Sequence, residues 1–261
     1  MDLGLTGAAV CVVGGTRGMG RACVERLAEE GARVAVLARD GVSAEAVAAE
    51  LRHGALGLAV DIADTAAVDA AFGEIDARWG GLNSLVIAAG PPTQRVRWYE
   101  VADADWKATY DVGALGPVRC LRAALPLLRR ANWARIVVLG AMSTRVPGPE
   151  RTAYTSTKAA LATLTKQISI DLAPEQILVN TVSPGAIFTD QLRDKRDREA
   201  PDVSDDPTAL MDWIATRGFR AHTGRIGLPH EVADVVAFLA SPRNAYTTGA
   251  NINVDGGSLF L

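Results

Sequence analysis

The chain has 261 residues, 49% of them apolar and 22% charged, with a formal net charge of −3. That supports one large buried core, excludes disorder of the whole chain, and supplies no basic excess for a nucleic-acid partner. Met1-Asp2-Leu3-Gly4 lacks a cationic region followed by an apolar one, and no stretch approaches the ~20 apolar residues of a membrane span, so a cytoplasmic protein is expected. Cys11, Cys23 and Cys120 fit no disulfide framework and are expected as buried, reduced thiols. With His53, His222 and His230 showing no ligand spacing, no metal site is expected.

In chain order, Ala8 to Val13 reads as an apolar strand, followed by a Gly-rich turn and a helix with Met19, Cys23 and Leu27 on one face. Arg33 to Ala38 reads as the second strand, Ser43 to Leu51 as a helix capped by Ser43, Leu56 to Val60 as the third strand, and Thr65 to Trp79 as a helix. Leu85 to Ala88 is a fourth strand, and a helix from near Asp105 runs past Leu128. The strand Arg135 to Leu139, the helix Tyr154 to Leu172 and the strand Leu178 to Val182 continue the alternation. Strands that are apolar runs separated by helices predict a single α/β domain over residues 1–261, a Rossmann-like doubly wound parallel sheet. Residues 190–225, with the charge run Arg193 to Glu199, interrupt the rhythm and are expected as an inserted, mobile substrate lid or a solvated loop, with Trp213 and Phe219 as apolar surface.

Gly14-Gly15-Thr16-Arg17-Gly18-Met19-Gly20 joins the first strand to the first helix. Glycines there let the backbone approach a pyrophosphate, and the helix N-terminus supplies N–H donors and a favourable dipole. The second strand ends Leu37-Ala38-Arg39. A carboxylate at position 38 would bond a ribose 2′-hydroxyl, whereas Ala38 does not and Arg39 can pair with a 2′-phosphate, with Arg17 as a second cation. NADP(H) is therefore expected over NAD(H), although Asp40 offers Arg39 a local partner.

Gly14-x-x-x-Gly18-x-Gly20, Asp61-Ile62, Tyr154-Thr155-Ser156-Thr157-Lys158, Pro184 to Thr189, and Thr248-Gly249 through Val254-Asp255-Gly256-Gly257 occur in this order. Together they resemble the short-chain dehydrogenase/reductase family over nearly the whole chain, and in particular members similar to 3-oxoacyl carrier protein reductases. The resemblance implies cofactor contacts from Gly14, Thr16, Arg17, Gly18, Met19 and Gly20, from Arg39, from Asp61 and Ile62, and from Ala89 and Gly90. It adds Tyr154, Lys158, Pro184, Gly185, Ile187 and Thr189. Tyr154 would be the acid/base and Lys158 its partner and the ligand of the nicotinamide ribose. Their spacing puts both on one helical face, and an adjacent ammonium is expected to lower the phenol's pKa. A homotetramer or homodimer is implied, built partly on the helices carrying Tyr154 and Leu121.

Two positions depart from the family pattern. Ala141 stands where a catalytic serine is common, with Ser143 or Thr144 as the remaining nearby hydroxyls. Asp111-Val112-Gly113 replaces a usual Asp-Val-Asn, leaving only the Gly113 carbonyl for a relay water. Val13 and Ile87-Ala88-Ala89-Gly90 also replace more polar family residues around the Gly-rich turn. The expected activity is hydride transfer between NADP(H) and a carbonyl or secondary alcohol, with Tyr154, Lys158 and Ser143 as candidate catalytic residues. A lyase, isomerase or dehydratase on the same scaffold, or a non-catalytic NADP-binding protein, are the alternatives that Ala141 and Gly113 raise.

Overall fold

The computed structural model describes residues 1–216 and 218–258. Position 217 of the expected 190–225 segment, and residues 259–261 of the expected domain, lie outside them. The strands are β1 (Ala9–Val13), β2 (Arg33–Ala38), β3 (Leu56–Ala59), β4 (Ser84–Ile87), β5 (Ala134–Leu139), β6 (Ile177–Pro184) and β7 (Asn251–Val254). The helices are α1 (Gly18–Glu29), α2 (Gly41–Glu50), α3 (Thr65–Trp79), α4 (Asp103–Tyr110), α5 (Gly116–Arg130), α6 (Thr152–Leu172), α7 (Asp190–Glu199), α8 (Pro207–Ala215) and α9 (Pro229–Leu239).

The seven strands form one sheet in the order β3-β2-β1-β4-β5-β6-β7, and every pairing is parallel. Both faces are covered, which explains the apolar runs. Along β1, Ala9, Cys11 and Val13 pack with Phe72 and Ile75 of α3 and Leu128 of α5. Val10 and Val12 pack on the opposite face with Val24 and Leu27 of α1 and Val236 of α9. The strand order reverses direction between β1 and β4, where Val13 pairs with Leu37 on one side and Ile87 on the other. In such sheets ligands bind outside the carboxyl ends of the strands at that crevice.

Three local expectations are revised. Asp40, not Ser43, caps α2: its side chain accepts from the Val42 N–H at 3.1 Å and from the Ser43 hydroxyl. The helix begunnear Asp105 is interrupted by a π-helical turn over Asp111–Leu115, where one extra residue is accommodated between α4 and α5. Residues 190–225 contain α7 and α8, and Leu210, Met211 and Trp213 of α8 bury a small apolar cluster with Phe188 and Ile226, while Phe219 is half-buried. The cysteines Cys11, Cys23 and Cys120 are free and buried, and burial pushes the Cys23 and Cys120 thiols up to about 12.

Candidate active site

The Gly-rich turn leaves β1 at the crevice and enters α1. Gly14 has φ 85°, and a Cβ there would lie 2.7 Å from the Ala89 backbone nitrogen. At Gly20 a Cβ would meet the Gly14 carbonyl oxygen at 2.0 Å, so only glycine lets α1 start this close to the turn. Ala88 and Ala89 both donate backbone N–H bonds to the Val13 carbonyl, at 2.9 and 2.8 Å. The apolar replacements at Val13, Ile87 and Ala88 therefore strand no polar group, because the backbone makes the connection itself. Such a cradle fits a dinucleotide pyrophosphate.

Around that cradle the sequence-predicted contacts divide. Arg17 and Arg39 are exposed, and Asp40 is engaged in capping α2, not in pairing Arg39. Asp61 is exposed and accepts from the Ala63 N–H at 2.9 Å, while the Ile62 side chain is buried against Gly116. Thr16 and Met19 are half-buried in the turn and at the start of α1. Thr189, reached through Pro184, Gly185 and the buried Ile187, lies over Gly18, whose added Cβ would sit 3.5 Å from the Thr189 methyl carbon. Asp190, which the sequence reading missed, accepts from the Gly18 N–H at 3.3 Å. Its carboxylate thus stands at the N-terminus of α1, where a phosphate would be favoured. A cleft of about 290 Å³ runs beside this contact, lined by Gly18, Arg21, Thr189, Asp190 and Arg193 among others. A second cleft of similar volume lies between Arg225, Glu231 and Asp255 and touches neither Tyr154 nor Lys158.

Deeper in the crevice, Lys158 is 3% exposed, and its Nζ donates to the Leu139 carbonyl at 2.7 Å, at the end of β5. A Cβ at Gly90 would approach that Nζ to 3.3 Å, so Gly90 and β5 together hold the ammonium at the switch point. Burial lowers its pKa to about 8. Tyr154 is half-buried one turn earlier on α6. Burial raises its pKa, and the opposing cation is Arg151. This corrects the expectation that Lys158 lowers the phenol: desolvation dominates at the tyrosine, and the charge that acts against it is that of Arg151.

The departures are equally definite. Ala141 is buried at the end of β5, ahead of a 3₁₀ turn over Met142–Thr144. Thr144 spends its hydroxyl on the Ala141 carbonyl at 3.0 Å, whereas Ser143 accepts from the Thr155 hydroxyl at 3.4 Å and keeps its own proton. Gly113 sits inside the π-helical turn, where a Cβ would lie 2.3 Å from the Thr157 methyl carbon and 3.0 Å from Pro91. No asparagine side chain fits that packing. Among the described residues no cluster of His, Cys, Asp and Glu could hold a metal, and no helix is long and apolar enough to cross a membrane.

A doubly wound sheet with a glycine cradle at its switch point, and a Tyr/Lys pair on the helix beside it, defines a nicotinamide-dependent oxidoreductase. Residues 13–258 match the family model described as enoyl-(acyl carrier protein) reductase. The chain is 32% identical to the 3-oxoacyl-[acyl-carrier-protein] reductase FabG of Aquifex aeolicus, over 98% of this chain and 99% of that protein. It superposes on L-sorbose reductase from Gluconobacter frateurii, solved with NADPH and L-sorbose, with a TM-score of 0.90 at 27% identity, covering 100% of both chains. A short-chain oxidoreductase from Pseudomonas aeruginosa PAO1, described as containing an atypical catalytic center, superposes with a TM-score of 0.91 at 29% identity over 99% of each chain. The chain belongs to the short-chain dehydrogenase/reductase family.

Proposed function

We propose that the protein is an NADP(H)-dependent reductase of a small carbonyl compound in which Tyr154 is the proton donor, Lys158 the anchor of the nicotinamide ribose and Ser143 the second donor to the substrate oxygen. The observation that carries this reading is the Lys158 ammonium, buried at the crevice on Leu139 with Tyr154 one helical turn away. When bound, the nicotinamide supplies the hydride. Because burial raises the Tyr154 pKa, the phenol is protonated at neutral pH and is set to give a proton to a carbonyl oxygen; the reverse reaction needs the phenolate and so calls for alkaline pH. Ser143 accepts from Thr155, the residue after Tyr154, and carries a hydroxyl that Ala141 lacks. The atypical center described for the Pseudomonas relative indicates that altered catalytic sets occur on this fold.

The cofactor preference rests on Ala38, Arg39 and Arg17. No carboxylate closes β2, and the exposed Arg39 is free of Asp40. The NADPH in the sorbose reductase complex supports the same choice. We further read residues 190–225 as a substrate lid in an otherwise single-domain protein, its helix α8 packed on Phe188 and Ile226. The protein is read as cytoplasmic and as a homotetramer or homodimer joined through α5 and α6. Ile170 on α6 is 65% exposed and available to such an interface, whereas Leu121 is buried within its own chain. Fluorescence titration tests the cofactor: NADPH binds more tightly than NADH, and Arg39→Ala weakens NADPH by ~1.5 to 3 kcal/mol while leaving NADH unchanged. Equal affinity of the parent protein for both cofactors contradicts it.

A further inference from the structure

The second cleft, away from Tyr154 and Lys158, holds an imbalance of hydrogen-bonding groups. Its frame consists of three strips of chain, one leaving β6, one leading into α9 and one at the end of β7. The Gly185 N–H donates to the Val254 carbonyl at 2.9 Å, the Gly227 N–H to the Ala186 carbonyl at 3.0 Å, and the Thr223 N–H to the Gly256 carbonyl at 3.0 Å. The strips also touch: a Cβ at Gly185 would lie 2.7 Å from the Asp255 Cα, and one at Gly256 3.0 Å from the Ala221 Cβ. The space between them, about 290 Å³, is several times what one water occupies. Among the described residues, two buried side-chain oxygens have no hydrogen-bond partner, Asn253 Oδ1 and Asp255 Oδ2, and both residues line this cleft. They stand two positions apart at the end of β7, the spacing that puts side chains on one face of a strand.

A buried acceptor without a donor loses its hydration and gains nothing in return. The neighbouring side chains do not supply the donor. The Arg225 guanidinium is bidentate on Glu231, at 2.5 and 3.0 Å, and Glu231 Oε2 also accepts from the Leu228 N–H at 2.8 Å. Asp255 uses its other oxygen to accept from the Gly257 N–H at 3.0 Å. With Arg225 and Glu231 cancelling, the lining keeps the negative charge of Asp255. An anion would meet only lone pairs at the two oxygens, and a divalent metal needs more oxygen ligands than these two. An ammonium satisfies both: its three N–H donors on a point charge reach oxygens of separate side chains, whereas a planar guanidinium matches the two oxygens of one carboxylate. Ala186, Ile187 and Ala221 give the same cleft an apolar wall for an alkyl stem. We infer that this cleft is a binding site for a small alkylammonium compound, its ammonium donating to Asn253 Oδ1 and Asp255 Oδ2. The site holds whichever reaction the crevice performs.

The probe is n-butylammonium chloride, titrated into the full chain and followed by saturation-transfer NMR of the ligand and by the rise in thermal midpoint. It binds the parent protein and is weakened at least tenfold in Asp255→Asn, which keeps the shape and the bond from Gly257 but removes the charge. Asn253→Ala weakens it at least threefold, and Asn253→Asp, which keeps an acceptor and adds a charge, does not weaken it. n-Butanol, which lacks the charge, and n-butyltrimethylammonium, which lacks the N–H donors, each bind at least tenfold more weakly than the probe. Should Asp255→Asn fail to fold, Asn253→Ala and the two control compounds decide by the same criteria. Absence of saturable n-butylammonium binding, equal binding in the parent protein and Asn253→Ala, or equal binding of either control compound overturns the inference. Mg²⁺ that expels n-butylammonium from the parent protein and no longer binds Asp255→Asn overturns the ammonium assignment in favour of a metal.

Discussion

At the scale of single residues, the site is defined by what burial does to Lys158 and Tyr154. Lys158 is the costliest: its ordinary pKa near 10.4 falls to about 8 because the folded protein desolvates the ammonium. Below about pH 8 both folded and unfolded chains carry that proton, and the burial penalty is present in full. Between about 8 and the unfolded value the unfolded chain binds more protons, so this group makes stability rise with pH. Lys158→Met is therefore expected to be more stable than the parent at pH 7 by roughly 1 to 3 kcal/mol, with the gap narrowing toward pH 10, read from denaturant midpoints at both pH values. A less stable variant at pH 7 would show that the bond to Leu139 outweighs desolvation. The missing serine makes a second prediction. Deleting one donor to the substrate oxygen costs ~10² to 10³ in rate, so Ser143→Ala lowers carbonyl reduction by that order if Ser143 has taken the role. Ala141→Ser then adds little. An unaffected Ser143→Ala variant, with Ala141→Ser accelerating the reaction by ~10² or more, would place the donor back at the position the family pattern favours.

Among the elements, the π-helical turn between α4 and α5 is the least expected from sequence and the most telling. A continuous apolar periodicity from Asp105 past Leu128 hides it, because one extra residue rotates the helical faces without breaking the hydrogen-bonded run. Gly113 was the only visible signal. Its missing side chain is required by the closeness of Thr157 on α6, so a family-like asparagine cannot simply be restored. Gly113→Asn is expected to lose ~1 to 3 kcal/mol through overpacking, and Thr157→Ser, which removes the obstructing methyl carbon but keeps the hydroxyl, should recover part of it. Thermal melts of the two single variants and the double variant measure this coupling; strictly additive effects would mean that the two positions do not meet. The cap of α2 was misread for a related reason: Asp40 and Ser43 both have capping chemistry, and only the backbone placement decides that Asp40 receives the N–H while Ser43 donates to it. At α7, the bond from Gly18 to Asp190 joins positions 172 residues apart, a relation no local pattern can carry.

For the whole molecule, the parallel doubly wound sheet was legible because the strands β1, β2, β4 and β5 are apolar runs covered on both faces and the segments between them are helical. The glycine cradle and the Tyr154/Lys158 pair were legible for the same reason, since their chemistry resides in local spacing. What remained hidden is the electrostatic balance: burial lowers the Lys158 pKa and raises that of Tyr154, and Arg151, which carries no motif, is the cation that acts on the phenol. The fold thus presents a protonated phenol beside a cofactor cradle, an arrangement suited to reduction. Carbonyl reduction with NADPH carrying deuterium at the transferable C4 position tests this most directly, because the label follows the hydride and nothing else. The expected result is deuterium on the carbinol carbon of the product, lost together with NADPH consumption in Tyr154→Phe. Product that forms without deuterium and leaves NADPH unconsumed, yet still depends on Tyr154, would contradict the reductase account.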